Sequence, residues 1–125
     1  SGLRAQSERM RVIAENLANA DSLPQSPGDQ PYRRKTVDFR SVLDREAGVD
    51  LVKIRKVGVD RSDFKRRYDP GHPGADKNGY VLEPNVNSLI EAMDMREAQR
   101  SYEANISALE TARAMLMRTI SIINR

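Results

Sequence analysis

The chain has 125 residues and 14.1 kDa, with 21 Lys plus Arg against 18 Asp plus Glu and a formal net charge of +3, so it has room for one domain of ordinary size. It contains no Cys and only one His, His72, which excludes disulfides, thiolate metal sites, cysteine catalysis and a multi-histidine metal centre, and leaves little for a Ser-His-Asp triad. No stretch approaches the ~18 consecutive apolar residues of a membrane span, and the N-terminus lacks a charged-then-apolar signal pattern.

Hydrophobic residues make up 38% of the chain, with two Phe, four Tyr and no Trp. That is under the ~45–50% of a typical globule, a figure that also counts Gly. A large conventional core is not expected, and much apolar surface should be buried against other chains. Charge divides the chain further. Residues 33–67 hold 12 Lys or Arg against 6 Asp or Glu, whereas 1–21 (3 against 3) and 85–125 (5 against 5) are neutral.

Residues 3–20 have helical periodicity. Leu3, Met10 and Leu17 recur at sevens, and Gln6, Ile13 and Ala20 form a second row offset by three, together the stripe of a short coiled-coil seam. The chain opens Ser1-Gly2-Leu3, without a Met and in what reads as mid-helix, which leads us to expect native residues upstream. The helix pattern breaks at Asp21-Ser22, and Pro24, Pro27, Gly28 and Pro31 follow as a loop.

Residues 32–84 read as short strands and turns. Val49, Leu51, Val52, Ile54, Val57 and Val59 form either one bulged strand or two short ones, and Tyr32–Phe39 and Phe64–Tyr68 are further strand candidates. Asp69-Pro70-Gly71-His72-Pro73-Gly74 is dense turn chemistry, and Asn78-Gly79 before Tyr80-Val81-Leu82 signals a tight hairpin. A small antiparallel β unit is expected, too small to stand comfortably alone.

From Val86 to Asn124 the pattern is helical again, with Asn85 as the expected N-cap. Met95, Tyr102, Leu109, Leu116 and Ile123 recur at sevens; Ala98, Asn105, Ala112 and Thr119 form the companion row, and Ile90, Met93, Ile106 and Ile120 widen the stripe. No Gly or Pro follows residue 84. A helix of about 39 residues is roughly 58 Å long. A compact globule of this size is only about 35–40 Å across, so the molecule must be elongated. The N-terminal helix, at about 30 Å, covers about half of the long stripe if paired antiparallel. The remainder then marks an interaction site, and surfaces that stick to different surfaces of the next copy generate rings or open helices.

The expected fold is thus mainly α with a small β module: an elongated, coiled-coil-like antiparallel pair of terminal helices (1–21 and 85–125) around a loop and short antiparallel β insert (22–84). The candidate assembly surface is Leu3, Met10, Ile13, Asn16, Leu17 and Asn19 with Met95, Tyr102, Asn105, Leu109, Leu116, Ile120 and Ile123. Asn16 and Asn19, one turn apart, read either as capping residues or as amides that bond a neighbouring subunit and fix register. The Met residues read as core or seam fillers. His72 reads as a turn residue. Asp76-Lys77-Asn78-Gly79 lacks the alternating acids and closing Glu of a calcium loop. Arg33, Arg34 and Lys35 after Tyr32, and Lys65, Arg66 and Arg67 between Phe64 and Tyr68, form a basic face that is either simply solvated or a single-stranded nucleic-acid platform over 32–68. No constellation supports an enzyme, a cofactor or a metal.

Three blocks carry a resemblance. Glu15-Asn16-Leu17-Ala18-Asn19-Ala20-Asp21 resembles the signature that ends the first helix of bacterial flagellar rod and hook proteins. Tyr68-Asp69-Pro70-Gly71-His72-Pro73, Ala75-Asp76 and Gly79-Tyr80-Val81 are similar to a segment of a short proximal-rod member of that family. Pro84-Asn85-Val86-Asn87 and Arg100-Ser101-Tyr102-Glu103-Ala104-Asn105 resemble parts of the family's C-terminal helix. The resemblance implies a non-enzymatic building block of the torque-transmitting rod, with paired terminal helices in the inner wall and the β module outside. It further implies export through the flagellar type III apparatus without a cleaved signal, a periplasmic location in the basal body, and contact with copies of itself, with proximal and distal rod subunits and with the rod-to-ring junction protein.

Overall fold

The computed structural model describes residues 2–44 and 49–124, with 40–44 and 49–55 described by backbone alone. Ser1, residues 45–48 and Arg125, parts of the three expected regions, lie outside the described residues. The chain forms two helices and two small antiparallel sheets: α1 (Gly2–Ala18), β1 (Lys35–Asp44), β2 (Val49–Val59), β3 (Lys65–Tyr68), β4 (Tyr80–Glu83) and α2 (Ser88–Ile123).

Helix α1 ends where the side chains of Asn19 and Ser22 take over from the helical ladder. Asn19 Nδ2 donates to the Glu15 carbonyl at 2.9 Å, and Ser22 Oγ bonds Asn19 Oδ1 at 3.2 Å. The prolines that follow cannot continue a helix. Helix α2 has 36 residues, hence about 54 Å of length, against about 25 Å for the 17 residues of α1. Its N-cap is Asn87, whose side chain accepts from the backbone of Leu89 and Ile90, rather than Asn85. The helix starts later than the sequence predicts because Asn85 is committed elsewhere: it accepts from Arg34 N at 2.7 Å and donates to the carbonyls of Asp60 and Ser62.

The helices lie antiparallel. Gly2 packs on the Asn105 side chain, Arg9 pairs with Glu97 at 3.5 Å, and Asn16 donates to Glu91 at 3.3 Å, so contacts run down α2 as they run up α1. The deepest positions are Ala5, Val12, Ile13 and Asn16 on α1 and Glu91 and Ala98 on α2. The predicted row Leu3, Met10 and Leu17 flanks this line and is half-buried. Small Ala5 and Ala98, 2% and 0% exposed, occupy the centre of the contact, and the bulkier side chains close its edges. On α2, Met95 and Tyr102 are half-buried, and cover ends with half-buried Ile106: every residue from 107 to 124 is exposed.

Strand β2 is one bulged strand. Its pairing with β1 slips between Asp38, opposite Lys56, and Phe39, opposite Ile54, leaving Arg55 as the extra residue. Strands β3 and β4 pair from Lys65 opposite Glu83 to Tyr68 opposite Tyr80. The predicted tight turn at Asn78-Gly79 is not the connection. The loop is the whole of 69–79, and Gly79 (φ +86°) serves only its last corner.

Candidate assembly interface

Where the helix pair meets the base of the β1–β2 ribbon, charged and polar side chains interlock. Glu91 is 1% exposed. It is ion-paired to Arg34 Nε and accepts from Asn16. Arg34 also reaches Asp60 at 3.4 Å and Asp94 at 3.9 Å. Asn16 uses its whole amide within the chain: Nδ2 donates to the Lys35 carbonyl (2.9 Å) and to Glu91, while Oδ1 accepts from Lys35 N (2.9 Å) and the Tyr32 hydroxyl (2.7 Å). Lys35 Nζ pairs with Glu15 at 2.5 Å. Burial, helped by the carboxylates of Glu15 and Glu91, pushes the Tyr32 hydroxyl up to about 12. Hydrogen bonds from Ser62, then the nearby Arg34, hold Asp60 below the usual carboxylate range.

This clasp redistributes the predicted sites. The amide of Asn16 has nothing left for a neighbouring helix, and Asn19 closes its own helix. Arg34 and Lys35 belong to the clasp rather than to a solvated basic face. Arg33 donates to the carbonyls of Asp60 and Ser62 and lies over the Phe64 ring at 4.1 Å. Only Lys65, Arg66 and Arg67 remain together on an exposed strand. Arg66 lies over the Tyr80 ring at 4.3 Å, and Arg67 pairs with Glu83 at 3.2 Å. Sequence reasoning missed Glu91 and Asp60, and read Asn85 as a helix cap and Tyr32 as part of the basic segment instead of as members of this cluster. One signal was present: Glu91 extends the Ala98–Asn105–Ala112 row by one heptad, so an acid stood at an inward position.

The turn motif is a structural knot. Tyr68 and Tyr80 stack edge to face with centroids 5.3 Å apart. Asp76 Oδ1 accepts from the backbone of Asn78 (2.8 Å) and Tyr80 (3.0 Å), contacts that hold its carboxyl low, that of Tyr80 most. His72 Nδ1 accepts from Gly74 N at 2.9 Å. A Cβ on Gly74 would lie 2.1 Å from the Pro24 carbonyl oxygen, and one on Gly79 would lie 2.8 Å from the Tyr68 ring. Loop 69–79 therefore docks directly on the proline loop, where only glycine fits. No group of three or more His, Asp or Glu among the described residues is placed to hold a metal ion. Nor is any helix among them long and apolar enough to cross a membrane.

Among the described residues, the far half of α2 carries an exposed apolar row, in which Leu109, Leu116, Ile120 and Ile123 are 53%, 60%, 43% and 73% exposed. They continue the face that α1 covers nearer the helix start. Asn105 lies exposed at the boundary, beside Gly2.

Comparisons with known proteins identify the family. Residues 77–122, covering β4 and nearly all of α2, match the family model for the C-terminal region of flagellar basal-body rod FlgEFG proteins. Three relatives named flagellar basal-body rod protein FlgC align over 98% of this chain. That of Agrobacterium fabrum is 54% identical with 88% of its length covered, that of Salmonella typhimurium 43% with 90%, and that of Bacillus subtilis 41% with 91%. Identity at this level over nearly the whole of both chains establishes that this chain belongs to the FlgC family of flagellar basal-body rod proteins.

Proposed function

We propose that this structural subunit of the flagellar basal-body rod builds the proximal rod by laying the bare half of α2 against helices of adjacent subunits. Family membership makes it a rod protein of the flagellum basal body. The single observation behind the assembly mode is the exposed row Leu109, Leu116, Ile120 and Ile123 on a helix about twice as long as its partner. Exposed apolar surface of this kind marks a partner site. Coiled-coil-like packing of the terminal helices carries torque through side-chain contact, and the clasp at Glu91 fixes how the β ribbon leaves the spine. Copies of this chain, other proximal and distal rod subunits and the rod-to-ring junction protein are its neighbours. Export through the type III apparatus to the periplasm suits a chain whose long helix ends in a wholly exposed stretch, 107–124, that unfolds readily.

A single-stranded nucleic-acid platform would need free aromatic faces for base stacking. Here guanidinium groups of Arg33 and Arg66 already lie over the Phe64 and Tyr80 rings, so the rod reading is preferred. Leu109→Asp with Leu116→Asp is expected to abolish rod assembly and motility at normal expression. Motile cells carrying both changes would refute the proposed interface.

A further inference from the structure

The step Asn78-Gly79 carries chemistry beyond its role as a turn corner. Gly79 sits at φ +86° against the Tyr68 ring, so no other residue fits there without strain. An asparagine followed by glycine is prone to spontaneous deamidation, because no side chain on the second residue blocks its backbone nitrogen from the asparagine amide carbon. Asn78 is exposed, and its side-chain amide has no hydrogen-bond partner among the described residues. The backbone around it is tied down instead. Gly79 N donates to the Asp76 carbonyl at 3.0 Å, and the Gly79 carbonyl accepts from Asp69 N at 2.8 Å. Asp76 N donates to the Tyr80 carbonyl at 2.8 Å, while Asp76 Oδ1 accepts from Asn78 N and Tyr80 N.

We infer that Asn78 is a latent site of covalent self-modification, deamidation through a cyclic imide, which Asp76 holds shut in the folded chain. The inference goes beyond the rod-subunit reading and does not depend on it. In the reaction, Gly79 N gives up its proton and its electron pair attacks Asn78 Cγ. A C–N bond forms, the Cγ–Nδ2 bond breaks, and ammonia leaves with the proton. Water then opens the imide at either carbonyl, giving an aspartyl or an isoaspartyl link. One water is consumed and one ammonia released, with no oxidant or reductant. Three features of the fold oppose the first step. The attacking N–H is engaged by the Asp76 carbonyl and must first break that bond. The nitrogen must become anionic beside the fixed negative charge of the Asp76 carboxylate, which disfavours its deprotonation. Finally, Gly79 is buried: an added Cβ would lie 2.8 Å from the Tyr68 ring and 3.1 Å from Pro70 Cβ, so its peptide has little room to swing toward Asn78. Reaction therefore proceeds through local opening of loop 69–79. An unfolded chain awaiting export lacks this protection, and a folded subunit has it.

The test incubates purified full chain in warm, mildly alkaline buffer and follows deamidation by mass spectrometry of the peptide that carries residue 78. The folded wild-type chain is expected to react about a hundredfold or more slowly than the same chain in urea, where the step is free. Asp76→Ala should speed the folded reaction about tenfold or more and leave the rate in urea unchanged. Asp76→Asn keeps an acceptor oxygen at the same place and is expected to recover part of the protection. Glu91→Ala loosens the clasp and leaves the loop alone, so at temperatures where it stays folded its rate at residue 78 should match wild type. Equal wild-type rates in buffer and in urea would overturn the inference. So would a folded Asp76→Ala chain that reacts like wild type, or a Glu91→Ala chain that reacts as fast as Asp76→Ala.

Discussion

Replacing Glu91 by Ala is the sharpest perturbation of the clasp. The carboxylate is 1% exposed, paired with Arg34 and bonded by Asn16. Removing one partner of a buried ion pair typically costs about 3–5 kcal/mol, because the other charge is left uncompensated. Arg34 is 27% exposed and keeps Asp60 and Asp94, so the lower end applies. Asn16 retains its bond to the Lys35 carbonyl but loses the second N–H partner, about 1 kcal/mol more. A loss of about 3–4 kcal/mol is a large share of the 5–15 kcal/mol that holds most domains folded. At roughly 3–5 °C per kcal/mol for this size, the melting midpoint should fall by about 10–15 °C. The assay is thermal unfolding followed by circular dichroism at 222 nm. Arg34→Ala should do at least as much harm, since it strands a fully buried carboxylate. The double variant Arg34→Met with Glu91→Leu should cost clearly less than the two single changes together. Glu91→Ala unfolding within about 1 °C of wild type would refute the clasp as a stabilising element.

Other predictions follow from single side chains. Tyr32 titrates near 12 in the folded chain against about 10 when unfolded. The raised value means that the neutral hydroxyl is favoured by folding; its contribution is complete below pH 10 and lost as pH rises through 12. Phenolate absorbance should show a phase near pH 12, and Tyr32→Phe should remove it. Gly79→Ala forces a residue at φ +86° against the Tyr68 ring and should cost about 1–3 kcal/mol in urea unfolding. Gly74→Ala should be at least as harmful, because its Cβ meets the Pro24 backbone. Wild-type stability in either glycine variant would contradict the knot.

The long helix was legible because five apolar residues at sevens with no Gly or Pro admit little else, and its excess length exposed half of its stripe by arithmetic alone. Strand β2 was legible from its β-branched run, and β3 and β4 as short strand candidates, but which strands pair was not. The helix start was not: Asn85 and Asn87 are both competent caps, and only the tertiary bonds of Asn85 to Arg34, Asp60 and Ser62 decide between them. The rotation of α1 escaped for a similar reason. Leu3, Met10 and Leu17 carry more apolar area than Ala5, but close helix packing favours the small side chain at the centre. Basic residues were counted correctly, yet a count cannot distinguish Arg34, clasped by Glu91, from Arg66 on an exposed strand. Glu91 was hidden because an acid in the first turn of a helix also reads as ordinary dipole complementation.

The most direct measurement of the central claim is the helix content of the purified wild-type chain as a function of concentration, read beside its sedimentation. Residues 107–124 are all exposed among the described residues, so the account predicts that helical signal grows as larger species form. A compact monomer whose helical signal is complete at the lowest concentration and unchanged at the highest would contradict it.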